Sequence, residues 1–227
     1  MTRTDTGPGG RDPAVPPAWR LTADAFCAAV ESGRLDLPLP GGGRTRERWA
    51  AFSALAEEDL SLARLSEGHA DAVAILAELG GPLPAVGSRW GVWAANPPGP
   101  GLEAKRAPNG CWSVRGTKRY CYGARTCTHA LVTAAAADGM RLFAVATEAL
   151  TPLPWTWPAT GMARSDALDI DFDDIAAEPV GPPGGYTDRP GFSHGGVGVA
   201  ACWYGGARAI GRTLLASAQQ HEAGPHA

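Results

Sequence analysis

The aspartates of "DALDIDFDD" are the first residues here that could do chemistry. Asp169, Asp171 and Asp173 fall at positions 1, 3 and 5 of a calcium-loop pattern. Position 6 is Asp174 where the loop needs glycine, and position 12 is Val180 where it needs a bidentate glutamate. Strand alternation explains the same spacing, with Leu168, Ile170 and Phe172 facing one way and the acids the other. "GVGVAA" at 196–201 matches a loose dinucleotide-binding pattern. That fingerprint requires a strand before it and an acid about twenty residues after it; here a glycine-rich loop precedes it, so close helix packing is the better reading. His69, His129 and His194 share no ligand spacing and read as surface or satisfied core residues. Ser165-Asp166 and Cys127 lack a local partner that would make a triad or an activated thiol. No metal ligand and no catalytic residue is assigned from local motifs. What remains is "RGTKRYCYGA" at 115–124, where a turn, a lysine, two tyrosines and a cysteine sit between two apolar runs.

The elements that would position this stretch follow from periodicity. The composition of residues 1–17 predicts disorder. Residues 18–84 read as a helical domain. One helix starts near Trp19, with Thr22 as its N-cap; a second runs from about Thr45 to Leu65. A third begins near Ser66 as N-cap and stops at Gly80-Gly81-Pro82. Residues 85–190 read as an antiparallel β domain, a sheet or small barrel. Trp90–Ala95 is a short strand. Asn109-Gly110 marks a hairpin between Glu103–Arg106 and Trp112–Arg115. Ala130–Ala136 and Leu142–Thr147 flank Asp138-Gly139, and Leu168–Ile175 alternates. Residues 191–227 are loop plus one helix, about Val197 to Gln220, on which Gly198, Cys202 and Gly205 or Gly206 form a small-residue face. The fold class is α+β with segregated layers.

Composition excludes several function classes. A formal charge of −3 gives no basic footprint for nucleic acid or an anionic membrane. Pro190 and the glycines after it argue against a membrane helix in the uncharged run at 190–207. Five cysteines, none paired at CxxC spacing, fit reduced thiols and a cytoplasmic protein. Lysine occurs only at 105 and 118, which reads as a codon preference for arginine.

Three segments together resemble the acyl-CoA dehydrogenase family. "WGVWAANPPGPG" at 90–101 is similar to the family's first barrel strand and T-E-P-x-x-G-S-D loop. "GCWSVRGTKRYCYGARTCTHALVTA" at 110–134 is similar to its N-G hairpin, aromatic strand, G-x-K and W-I-T-N pattern. "ARSDALDIDFDDIAAEPVG" at 163–181 is similar to its later strand ending in F-x-x-V. The resemblance covers about 20–220. It implies an N-terminal helical domain, a β-barrel, and the first helix of a C-terminal bundle. It implies FAD as cofactor, an acyl-CoA-type thioester as substrate, and oxidation of the Cα–Cβ bond with a glutamate taking the α-proton. Cofactor-binding positions carried over by motif are Ala94, Ala95, Asn96, Tyr120, Cys121 and Tyr122. Ala95 and Asn96 replace the family's threonine and glutamate, and Tyr122 replaces a threonine that bonds the flavin.

By the resemblance, the family's base lies in the C-terminal helical bundle, well beyond Ala227 or in some members on an earlier helix of it, and residues 197–220 hold no acid. The expectation is a truncated form, inactive as this chain alone, with the small-residue helix face unpartnered. It is completed either as a homo-oligomer or by a missing C-terminal partner. The alternatives are a non-catalytic binding module that keeps the barrel, and one half of a split enzyme.

Overall fold

The computed structural model describes residues 18–222, so the expectation for residues 1–17 lies outside the described residues. Three helices come first: α1 (Ala18–Glu31), α2 (Thr45–Glu58) and α3 (Leu60–Leu79). The break between α2 and α3 falls at Asp59, not at Ser66. The Asp59 carboxylate accepts from the Ser61 and Leu62 N–H groups at 2.7 and 3.3 Å, satisfying two orphan donors of the first turn. Ser66 is instead fully buried in the middle of α3. Thr22 likewise lies buried inside α1, which already runs from Ala18. The expected stop holds: Gly80 takes the left-handed conformation at the C-cap.

Seven strands follow: β1 (Trp90–Trp93), β2 (Glu103–Arg106), β3 (Trp112–Cys121), β4 (His129–Ala136), β5 (Gly139–Ala146), β6 (Thr151–Leu153) and β7 (Leu168–Val180). The order β4-β2-β3-β7-β5 closes because β5 also pairs with β4; β1 is added on β4, and β6 on β7. Closure removes the exposed sheet edges of those five strands. The hairpin predicted at Asn109-Gly110 is present, Glu103 pairing with Arg115 and Arg106 with Trp112. The sheet departs from a purely antiparallel one in two places. β1 and β2 both run parallel to β4, with Trp90 opposite His129 and Glu103 opposite Ala135. These pairings join distant segments, so no local turn signal announces them.

A short helix α4 (Gly185–Asp188) and the long α5 (Phe192–Glu222) complete the chain. α5 begins five residues before its expected start. Its small-residue face is not left unpartnered, as the sequence suggested: it is the face that packs within this chain. Cys202 is fully buried, and a Cβ placed on Gly198 would stand 3.1 Å from the Phe52 ring on α2. The face left open carries Trp203, Ile210, Leu214 and Leu215. One core cluster runs from α1, α2 and α3 into the barrel, through Phe26, Phe52, Trp93, Val114 and Phe143. A smaller one joins α3 to β1, β4 and β5 around Ile75, Trp90 and Leu131. The layers are therefore helices, barrel, and a helix that returns across α2 and α3.

Candidate functional site

Between α3, the end of β1, the end of β3 and the start of α5 lies a cleft of about 800 Å³. That size and its largely apolar, aromatic lining suit a small-molecule or cofactor site. Ala94, Ala95, Asn96, Tyr120 and Tyr122, five of the six residues expected to hold a cofactor, line it. Two strand ends far apart in sequence thus meet at one cavity. Cys121, the sixth, does not line it. Its thiol is fully buried in the main core, where its Sγ donates to the Lys118 carbonyl at 3.3 Å, and burial pushes its pKa up.

The reason is a β-bulge. Lys118 pairs with Ile170 and Cys121 with Leu168 on β7, so two residues, Arg119 and Tyr120, stand opposite Asp169 alone. The extra residue shifts the alternation by one, turning Cys121 inward and leaving Tyr120 outside. Tyr120 takes φ +62°, which a side chain rarely adopts. Its N–H donates to Asp169 Oδ1 at 3.2 Å, which holds the bulge in place. Strain of this sort costs on the order of 1–3 kcal/mol and persists where the surroundings enforce it.

Inside the bulge, Lys118 is 2% exposed. Its ammonium donates to Asn96 Oδ1 at 2.9 Å, Thr133 Oγ1 at 2.8 Å and the Thr133 carbonyl at 3.1 Å. These bonds tie β3 to β4 and to the segment after β1, and so fix Ala94–Asn96 at the cleft mouth. Burial lowers the Lys118 pKa to about 8, with Cys121 acting in the opposite sense. The sequence reading named G-x-K but gave Lys118 no role. Lysine usage alone did not mark it, because the other lysine, Lys105, is exposed on β2; the burial of Lys118 follows from the pairing of β3 with β7 and the approach of β4.

Trp157, which motif reasoning passed over, forms the outer wall. Its ring stands 6.4 Å from Tyr120 and 6.1 Å from Tyr122, and its indole N–H donates to the Gly161 carbonyl at 2.9 Å. Trp93 Nε1 donates to the Tyr122 carbonyl at 2.9 Å, locking the other side.

The inner end of the cleft is charged. Arg64, Glu67 and Asp71 project from one face of α3, and Arg189 meets them from the turn before α5. Arg64 donates to Glu67 Oε2 and also lies 5.1 Å above the Tyr122 ring. Arg189 donates to Glu78 Oε2 at 3.0 Å and stands 3.6 Å from Asp71. The Glu78 carboxylate accepts from the Gly191 N–H at 2.7 Å, anchoring the entry to α5. Burial raises the Glu67 carboxyl to about 7, with Arg64 opposing and Asp71 reinforcing the rise. Burial raises Asp71 too, against its neighbouring arginines. The sequence reading missed this cluster because a break at Ser66 cut α3 between Arg64 and Glu67.

The residues fit a flavin in part. Ala94 and Ala95 leave room for a planar ring, the β1 ladder ends at Trp93 just before them, and Tyr120, Tyr122 and Trp157 supply an aromatic edge. Asn96 fits less well, since its Oδ1 already accepts from Lys118 and from the Thr133 hydroxyl.

No family model and no curated protein matches the chain. Solved structures do. KijD3 in complex with FMN and dTDP-3-amino-2,3,6-trideoxy-4-keto-3-methyl-D-glucose is similar at 20% identity and TM-score 0.65, over 89% of this chain and 64% of that one. Butyryl-CoA dehydrogenase from Megasphaera elsdenii is similar at 17% identity and TM-score 0.61, over 85% and 57%. The prolyl acyl carrier protein oxidase AnaB is similar at 15% identity and TM-score 0.64, over 83% and 58%. The chain has the acyl-CoA dehydrogenase fold. It spans less than two thirds of the length of each of these three structures. Among the described residues, no helix is long and apolar enough to cross a membrane.

Proposed function

We propose that this chain forms the flavin-facing part of an acyl-CoA dehydrogenase-like oxidoreductase, working in the cytoplasm. The observation that carries this reading is the meeting of Ala94–Asn96 with Tyr120 and Tyr122 on one cleft of about 800 Å³. FAD is the cofactor implied by the sequence resemblance, and FMN is the flavin named with KijD3. A bound flavin would supply two-electron acceptance. The chain's own residues would then do three things. Ala94, Ala95 and the aromatic edge would orient the ring. Lys118 would hold the segment that carries them. Glu67, with its pKa near 7, would take or hold a proton at the inner end of the cleft. The substrate on this reading is an acyl-CoA-type thioester entering between α3 and α5. The apolar face of α5 around Trp203, Ile210 and Leu214 would be covered by a second copy or by a C-terminal partner.

A second reading, a binding module without redox chemistry, is favoured by one observation. The side-chain oxygen of Asn96 is spent on Lys118 and Thr133 and offers no acceptor to a ligand.

Titration of the purified chain with FAD and with FMN, followed by gel filtration, separates the two. Flavin absorbance should travel with the protein for at least one of them. Ala95→Trp, which fills the cleft mouth at an exposed position, should raise the flavin Kd by about tenfold or more while leaving the circular dichroism unchanged. A chain that carries neither flavin, or one whose affinity ignores Ala95→Trp, sinks the flavin reading and leaves the binding module.

A further inference from the structure

The cleft has cations in its walls, and the chain's own carboxylates hold them. Among the described residues that line it, the cationic side chains are Arg64, Arg141 and Arg189. Arg64 donates to Glu67. Arg141 grips Asp138 through two bonds, Nε to Oδ1 at 2.9 Å and Nη2 to Oδ2 at 2.5 Å. Arg189 donates to Glu78 at 3.0 Å and stands 3.6 Å from Asp71. Lys118, behind the wall, spends its ammonium on Asn96 and on both oxygens of Thr133. At the outer end Arg119, next to Tyr120, faces Asp169 at 3.6 Å.

The backbone donors that could take an anion are engaged or missing. The start of α5 lies at the cleft, since Phe192, Gly195 and Gly196 line it, and a helix N-terminus ordinarily attracts an anion. Here the anions come from α3. The Glu78 carboxylate accepts from the Gly191 N–H at 2.7 Å, one residue before the helix. Asp71 lies against the first turn, where a Cβ on Gly195 would stand 2.7 Å from its Oδ1. After Asn96 the chain reads Pro97-Pro98-Gly99-Pro100, and the prolines have no N–H to offer.

A phosphate brought to these arginines would also meet Glu67, Asp71, Glu78 and Asp138. At such short range the carboxylates repel it about as strongly as the guanidinium groups attract it. The middle of the cleft is different, because Ala94, Ala95 and the rings of Tyr120, Tyr122 and Trp157 present apolar and aromatic surface.

We infer that this cleft recognises a flavin by its uncharged part, and that the phosphate adds nothing to affinity. The ligand class is a neutral, planar heteroaromatic, for which riboflavin serves as well as FMN. The inference rests on the flavin reading above and narrows it to one portion of the cofactor.

Fluorescence titration of the full chain with riboflavin, FMN and FAD tests it. The titration is run at pH 8, because the Glu67 carboxyl has a pKa of about 7 and must carry its charge to neutralise Arg64. FMN should bind no more than about threefold more tightly than riboflavin. Raising NaCl from about 0.05 to about 0.5 M should change neither Kd by more than about threefold. Ala95→Trp should weaken riboflavin and FMN alike, which puts both in this cleft. A larger preference for FMN, a larger salt effect on FMN than on riboflavin, or binding of FAD alone overturns the inference and leaves the flavin reading standing. Binding that ignores Ala95→Trp, or no binding of any of the three, overturns both.

Discussion

Glu67→Gln should make the protein more stable at neutral pH than it is with the natural residue, and should leave stability almost unchanged below pH 4.5. The Glu67 carboxyl is raised from its ordinary 4.5 to about 7 by burial, with Arg64 pulling the other way and Asp71 adding to the rise. A carboxyl whose folded pKa is raised favours folding in its protonated form. Its contribution is complete below pH 4.5 and is lost as pH climbs through 7. At about 1.4 kcal/mol for each tenfold change in proton affinity, the loss is about 3 kcal/mol. Glutamine resembles the protonated acid and does not suffer it. The natural chain hides this slope, because His69 titrates in the opposite sense across nearly the same window. Burial lowers the His69 imidazole from 6.5 to about 4, against the pull of Asp36. Its Nδ1 accepts from the Trp90 N–H at 3.2 Å, which needs the neutral ring. A base with a lowered folded pKa stabilises above its unfolded pKa and loses that contribution as pH falls through the folded value, here between 6.5 and 4. The two residues lie two positions apart on α3, and their slopes largely cancel. Urea denaturation from pH 4 to pH 8 should show the difference between Glu67→Gln and the natural chain growing by about 3 kcal/mol between pH 4.5 and 7. His69→Gln should show a difference of similar size and opposite trend. A pH-independent difference for Glu67→Gln would mean that its carboxyl has ordinary proton affinity, and would remove it as a candidate proton acceptor in the cleft.

The same helix shows where sequence reasoning worked and where it stopped. Its C-terminus was legible because Gly80-Gly81-Pro82 permits no other reading. Its start was not, because "EEDLSLARLSE" contains no glycine or proline and offers both Asp59 and Ser66 as caps. Only the tertiary setting decides between them: Ser66 is needed in the core, and Asp59 also receives Arg164 at 2.8 Å. The wrong choice halved the helix, and the charged face of Arg64, Glu67 and Asp71 vanished with it. The barrel hairpin and the strands flanking Asp138-Gly139 followed from turn chemistry and alternation, which are local. The bulge at Tyr120 did not, since it depends on how β3 is opposed by Asp169, some fifty residues away in the chain. Ala94–Asn96 and the tyrosines came from motif order, and the cleft brings them together, but nothing in the order distinguished inward Cys121 from outward Tyr120. α5 was found from its periodicity and its small residues. Their partner was misjudged because α2, more than a hundred residues earlier, comes back to meet them.

That return contact gives the second large effect. Gly205→Ala should destabilise the chain by about 2 to 3 kcal/mol, although alanine is the better helix former. A Cβ at Gly205 would stand 2.8 Å from the backbone carbonyl carbon and Cα of Ser53, and closer still to its oxygen. Ser53 lies within α2 (Thr45–Glu58), so this obstacle is hydrogen-bonded main chain and cannot rotate away like a flexible side chain. The helices must separate, and Cys202 and Phe52 lose the packing that buries them fully or nearly so. Gly211 supplies the control on the same helix. A Cβ there meets nothing within 4 Å, and Gly211→Ala should stabilise by about 0.5 to 1 kcal/mol through helix propensity alone. The same glycine-to-alanine change, made at two positions six residues apart on α5, therefore acts in opposite directions, and thermal or urea unfolding reads both signs. The consequence reaches the cleft, because Gly195, Gly196 and Val199 line it from the same helix. Gly205→Ala should loosen that wall and speed amide hydrogen exchange over α5, while Gly211→Ala should leave exchange near residues 195–199 unchanged. Equal effects from the two substitutions would show that α5 does not lie this close to α2 in solution. The wall of the cleft, and the position of Asp71 beneath Gly195, would then need to be redrawn.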